Sequence, residues 1–295
     1  MTWQEVASLP GHEGGTHVVR FNKNGNYCVS GGGDRKVTLW NPATGKQIKS
    51  YAGHGREVLD LALCKDNRMI ASCGGDKQIF LWDVLDGRTL RRLKGHENRI
   101  NCVAFNDDQS VLVSGSYDKT IKFWDLKSNT YEPIQTIEHA VDSITIVKVY
   151  GVEILTASVD GHIRLYDIRK GELETDTIGH PVTSVTLSHD QNCILSSSLD
   201  STVRFLDKSD GTLLNTYKGH RNTTWKIQSC FSNDDAFVFS GSEDRHIYVW
   251  DLVEGKVVDR IEGHKDTPVS LSYHPTDDQL LSSSLDGTIK LWEKR

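Results

Sequence analysis

A short Gly-His signal returns along this chain at a spacing near 42 residues, and that period constrains the fold more than any other feature. The histidines are His12, His54, His96, His180, His220 and His264, with a seventh copy at His139 where the pair reads Glu-His. Successive intervals are 42, 42, 43, 41, 40 and 44 residues. Inside each period an aspartate recurs at Asp34, Asp76, Asp118, Asp160, Asp200, Asp244 and Asp286. A hydroxyl residue stands four positions before it, at Ser30, Ser72, Ser114, Thr156, Ser196, Ser240 and Ser282. Six positions after it come Trp40, Trp82, Trp124, Tyr166, Leu206, Trp250 and Trp292. Self-similarity at this period is the mark of a repeat architecture.

Between the markers the pattern has the character of short strands. INCVAF, SVLVSGS and TIKFWD are β-rich runs separated by NDDQ, SYDK and SN, which are turn chemistry. A fourth run, such as EPIQTI, precedes the next histidine. Each unit therefore predicts about four antiparallel strands. One such sheet cannot bury both faces, but seven arranged radially cover one another. The expected fold is all-β: a seven-bladed propeller forming one domain over residues 1–295. The seventh unit stops at its third strand, so residues 3–9 (WQEVASL) are expected to pair in the last blade and remove the open edge.

His, Ser and Asp together are the residue types of a hydrolase triad. Strands that alternate in direction bring the loop carrying the histidine and the turn carrying the aspartate to one end of the blade. A hydrogen-bond chain then runs from Asp118 to His96, from His96 to Ser114 and from Ser114 to the indole of Trp124. It satisfies buried polar groups that would otherwise cost about 1–3 kcal/mol each. A catalytic site needs one exposed nucleophile, an oxyanion site and a cleft. Seven near-identical copies fit a structural network instead, and no catalytic residue, cofactor or metal site is expected. The equivalent sets are His12, Ser30, Asp34 and Trp40; His54, Ser72, Asp76 and Trp82; His220, Ser240, Asp244 and Trp250; and His264, Ser282, Asp286 and Trp292. Unit four, with Glu138 in the glycine position and Tyr166 for tryptophan, and unit five, with Leu206, are expected to be the softest blades.

The Gly-His…Ser-x-x-x-Asp…Trp-Asp spacing resembles the WD-repeat family, whose members are known for this structural tetrad. The likeness covers essentially the whole chain and implies a protein-interaction scaffold. Finer stretches, including FNKNGNYC, SVDGHIRLYDIRKG, SSLDSTVRFLDKSDG and GSEDRHIYVWDLVEGKV, resemble one scaffold subfamily within it. That subfamily is described as assembling kinase-cascade components and as present in active spliceosomes, which implies partners among kinases and splicing factors and residence in cytoplasm and nucleus. In WD-repeat proteins partners often meet residues beside the start of each blade's first strand and beside the turn aspartate. Carried onto this chain, that implies a protein-binding face at the channel mouth comprising Arg35, Glu57, Lys77, Arg99, Asn101, Tyr117, Lys119, Trp225, Glu243 and Arg245. Aromatic and arginine side chains are the types enriched at interface hot spots.

Other classes find less support. Formal net charge is −6, which supplies no global attraction to nucleic acid or acidic lipid, and a direct RNA binder would need a basic mouth with several stacking aromatics. A ubiquitin-ligase substrate receptor would normally carry a further tethering motif, for which the chain has no evident room. No stretch approaches the ~20 apolar residues of a membrane span, and the start shows no signal-peptide pattern. The six cysteines form no C-x-x-C pair and sit in apolar runs, which reads as buried free thiols in a reducing compartment. The chain is expected to be monomeric by itself.

Overall fold

In the computed structural model, which describes residues 2–295, all regular structure is β-strand. Seven four-stranded antiparallel sheets follow one another. Blade one consists of strands a (Thr16–Phe21), b (Cys28–Gly32), c (Lys36–Asn41) and d (Lys46–Ala52). The next five blades repeat this order along the chain. Blade seven takes its first three strands from Pro268–Tyr273, Gln279–Ser284 and Ile289–Lys294, and its outer strand from Trp3–Leu9. That N-terminal strand pairs antiparallel with Ile289–Lys294, from Trp3 opposite Lys294 to Leu9 opposite Ile289. The expected closure is therefore present.

The a strands of consecutive blades contact each other around the ring, and blade seven meets blade one. They line the central channel. Burial falls off outward. Strand b of blade one, Cys-Val-Ser-Gly-Gly, is buried at every position, because neighbouring blades cover both its faces. Close packing sets its composition: a Cβ on Gly31 would lie 2.6 Å from Val58 of blade two. The outer strand Glu172–Thr177 is almost wholly exposed and polar. The cores lie between blades. One cluster joins Val18, Val29 and Val37 of blade one to Val58, Leu61, Ile70 and Phe80 of blade two. No blade owns a complete core, which is why the sheets are stable only as a stack.

Strand a carries the same irregularity in six blades. Its pairing with strand b shifts register between Thr16 and Val18, Val58 and Asp60, Ile100 and Cys102, Ile144 and Ile146, Val182 and Ser184, and Pro268 and Ser270. A bulge of this kind re-aims the skipped side chain. Among the described residues no helix is long and apolar enough to cross a membrane. The cysteines are free; Cys28, Cys64, Cys73 and Cys102 are buried, whereas Cys193 and Cys230 are only partly so.

Candidate functional site: the mouth of the channel

The rigid frame of the mouth comes first. In blade three His96 Nδ1 lies 2.8 Å from Asp118, Nε2 lies 2.7 Å from Ser114 Oγ, and Trp124 Nε1 donates to Ser114 Oγ at 2.9 Å. The carboxylate accepts a hydrogen bond from Nδ1–H, which leaves Nε2 to accept from the serine hydroxyl, whose oxygen accepts the indole N–H. Asp118 also accepts from the Glu97 amide and the Thr120 hydroxyl. Burial pushes its carboxyl upward, but the bonds from His96 and Thr120 outweigh that and hold it well below the usual range. The same chain is closed by His12, Ser30, Asp34 and Trp40, by His54, Ser72, Asp76 and Trp82, and by His264, Ser282, Asp286 and Trp292. Ser114 is fully buried, and both its donor and its acceptor roles are spent inside the blade. The set holds a d–a loop to a b–c turn and offers no exposed nucleophile.

Blade six departs from the expectation. His220 is buried, and neither ring nitrogen has a hydrogen-bond partner. Asp244 instead accepts from the Tyr248 hydroxyl at 2.7 Å, Trp250 Nε1 donates to the Lys218 carbonyl, and Ser240 donates to the Gly241 carbonyl. All four consensus residues are present, yet the tetrad is not made, because a tyrosine four residues after the aspartate reaches it first. In blade four Arg164 occupies that position and pairs with Asp160 at 2.9 Å. In blade five Arg204 pairs with Asp200. These two blades lack the full tetrad but are locked by an arginine that the repeat pattern alone did not reveal. The register also revises the reading of unit four. Ile121 pairs with Ile137 as Ile79 pairs with Leu93, so Glu138 stands in the place of Lys94, and the glycine is deleted rather than replaced.

The bulges build the mouth. The side chains they re-aim are His17, Leu59, Asn101, Thr145, Thr183 and Val269, and all six line one cavity of about 470 Å³ at the end of the channel. Blade six has no such bulge; its strand a starts only at Ser229, and the preceding loop delivers Trp225 and Lys226 to the same cavity. Lys226 crosses the mouth and donates to the Asn101 carbonyl at 2.9 Å. Arg99 lies over the Tyr117 ring at 4.7 Å, within the range where a guanidinium is attracted to an aromatic face. Tyr117 is 47% exposed, as is Trp225.

A family model described as the IFT122 first beta-propeller matches residues 2–229, and one described as WD domain, G-beta repeat, matches residues 211–251 and 255–293. WD repeat domain-containing protein 83 of Rattus norvegicus is 53% identical over 291 residues, covering 99% of this chain and 92% of the relative. The Homo sapiens protein of that name is 50% identical over the same shares. The Dictyostelium discoideum homolog is 36% identical over 97% of both chains.

The chain belongs to the WD-repeat family.

WD-repeat propellers generally act as non-enzymatic platforms for other proteins. On this WD-repeat propeller the mouth brings Arg99, Asn101, Tyr117 and Trp225 together. A shallower cleft beside it joins Arg99 and Tyr117 to Arg56, Glu57 and Lys77. Arg35, Lys77, Lys119 and Arg245 sit at the tips of the b–c turns with left-handed backbones, φ +67°, +64°, +72° and +76°. Blades four and seven put Gly161 and Gly287 at that position, the residue with least strain there. The four cations are exposed. Two expected contact residues have their polar groups committed within the protein. Asn101 is buried, and its amide donates to Ser143 Oγ and to the Ile144 carbonyl, tying blade three to blade four. Glu243 caps the blade-six loop by accepting from the amides of Thr223, Thr224 and Trp225 and from the Thr223 hydroxyl. It thereby holds Trp225 in place. Lys226 and Arg56 were missed from the sequence; the signal for Lys226 was its position beside Trp225 at the entrance of strand a.

Proposed function

We propose that this protein is a non-enzymatic scaffold that binds protein segments at the channel mouth. The observation that carries this reading is the convergence of Trp225 with the stacked Arg99–Tyr117 pair on one half-exposed cleft. Aromatic and arginine side chains in such a setting dominate interface energies. The quoted stretches resemble the mitogen-activated protein kinase organizer, which supports kinase-cascade components and splicing factors as the partners, and cytoplasm and nucleus as the compartments. Arg35, Lys77, Lys119 and Arg245 form the rim that a partner meets around this centre.

The test is affinity purification from cytosolic and nuclear extracts, followed by affinity and melting measurements on Tyr117→Ala and Trp225→Ala. Each substitution should weaken a recovered kinase or splicing partner about 30-fold, the loss expected for a hot spot worth roughly 2 kcal/mol. Melting temperature should hold, since both rings lie outside the interblade cores. Unchanged affinity for both variants would move the docking surface elsewhere.

A further inference from the structure

The opposite end of the channel has a chemistry of its own. At the register position one step below the middle of strand a, the seven blades present Arg20, Ala62, Ala104, Lys148, Thr186, Cys230 and Ser272; each pairs with the residue just before the tetrad hydroxyl. Five are short or uncharged and leave room. The two long side chains are both cations, in blades one and four. Arg20 is held rigidly: it donates to the Val19 carbonyl, Gln228 and Ser270, and pairs with Asp60 at 3.2 Å. Asp60 is also engaged by the Val103 amide. Lys148 has no hydrogen-bond or ion-pair partner among the described residues. Burial, then repulsion from Arg20, pushes its ammonium down to about 8, only partly offset by Asp60.

Arg20, Asp60 and Lys148 line one cavity of about 370 Å³ that opens between the a–b turns, where Lys23, Lys65 and Asp107 stand at its rim. Lys65 pairs with Asp107 at 2.6 Å. Four cations thus face two carboxylates, an excess of two positive charges in a chain whose formal net charge is −6. Low-dielectric walls focus such a field on the ligand that enters. Arginine offers planar paired donors to phosphate oxygens, and lysine adds a point charge.

We propose that this lower channel mouth is a binding site for a phosphate group, with Lys148 as the principal contact and Arg20 as its fixed partner. A dianionic phosphate matches the surplus charge and relieves the repulsion between the two cations. The group can arrive on a small phosphate compound or on a phosphorylated side chain, and both carry the same chemistry to the same atoms. The site lies at the opposite end of the channel from the Trp225 cleft, so it does not depend on the scaffold reading.

The experiment is calorimetric titration of the full chain with inorganic pyrophosphate and, separately, with a short phosphoserine peptide, at fixed ionic strength. Saturable binding of either probe is expected, and the arm that binds identifies the source. Lys148→Met keeps the stem and removes the charge; it should weaken binding about tenfold or more, as for loss of one charge-assisted hydrogen bond. Lys46→Met, on an exposed outer strand, should leave binding unchanged. Melting of Lys148→Met should equal or exceed that of the parent, which shows that the fold survives. Should Lys148→Met fail to fold, Lys148→Gln replaces it with the same expected loss. No saturable binding of either probe, or equal loss in Lys46→Met, would overturn the proposal.

Discussion

Blades one, two, three and seven bond the turn aspartate to a histidine on the preceding loop, whereas blades four, five and six bond it to a side chain four residues later in the same hairpin. The first arrangement is long-range. His96 and Asp118 are separated by 22 residues, and their bond fixes the d–a loop, the b–c turn and, through Ser114, the indole of strand c. The second is local. Asp160 and Arg164 clamp one hairpin, and the histidines His139 and His180 of the neighbouring loops are left exposed. One aspartate position therefore serves two ends: joining segments, or stiffening one turn. The loss of the tetrad does not by itself make a soft blade.

The largest effect should come from the clamp. Asp160→Ala leaves Arg164, a cation only 7% exposed, without its partner, and should cost about 3–5 kcal/mol in denaturant unfolding. Asp118→Ala leaves the His96 Nδ1–H and three further donors, the Glu97 amide and the Thr120 amide and hydroxyl, without this acceptor and should cost about 2–3 kcal/mol. If Asp118→Ala proved costlier than Asp160→Ala, the histidine blades would be the stronger ones and the comparison would invert.

Tyr248→Phe tests blade six directly. It frees Asp244 for His220 and should change stability by no more than about 1 kcal/mol, since one hydrogen bond is exchanged for another. The pH dependence separates the two states. Burial drives His220 down to about 4, from an ordinary value of 6.5. The folded state then binds fewer protons than the unfolded one between these values. Its contribution is present above pH 6.5 and lost as pH falls through that window. In Tyr248→Phe the carboxylate should raise the folded value, and the acid loss attributable to His220 should shrink. Imidazole titration by NMR reads this; an unmoved His220 would show that tyrosine is not what keeps the histidine and aspartate apart.

The smallest effect concerns motion. Amide exchange should be faster in the loops at 138–143 and 178–181 than in the loops at 53–58 and 95–100, while strands b and c exchange alike in both halves. Faster exchange throughout residues 139–207 would restore the view that blades four and five are soft as a whole.

The seven-fold architecture and its closure were legible because the period, the turn residues and the WQEVASL overhang are all local patterns. The four closed tetrads were legible for the same reason. Blade six was not. Its consensus is complete, and the outcome turned on whether Tyr248 or His220 reaches Asp244, a contest of geometry that spacing does not record. Arg164 and Arg204 were visible as letters, but their meaning depends on the turn folding them back four residues onto an aspartate. Of the mouth, Tyr117, Arg99 and Trp225 could be placed from the turns. Of the ring of bulged residues only Asn101 was among the expected contacts; the ring as a whole could not be placed, because a one-residue shift in register leaves no mark in composition. Asn101 and Glu243 show the converse: polar residues in contact positions whose hydrogen bonds turned inward.

The pairing of Trp3–Leu9 with Ile289–Lys294 has a topological consequence. The Thr2 and Arg295 backbones exchange hydrogen bonds of 3.4 and 2.9 Å, so the circle is complete in space while it is interrupted in covalent structure. That seam is one of seven equivalent places at which the polypeptide could be opened. Joining residue 295 to residue 2 through a short linker and cutting in the exposed Asn129–Tyr131 segment of blade three would move the break to the far side of the ring. The interblade cores would be retained, and the entropy of ring closure would be charged to a different pair of blades.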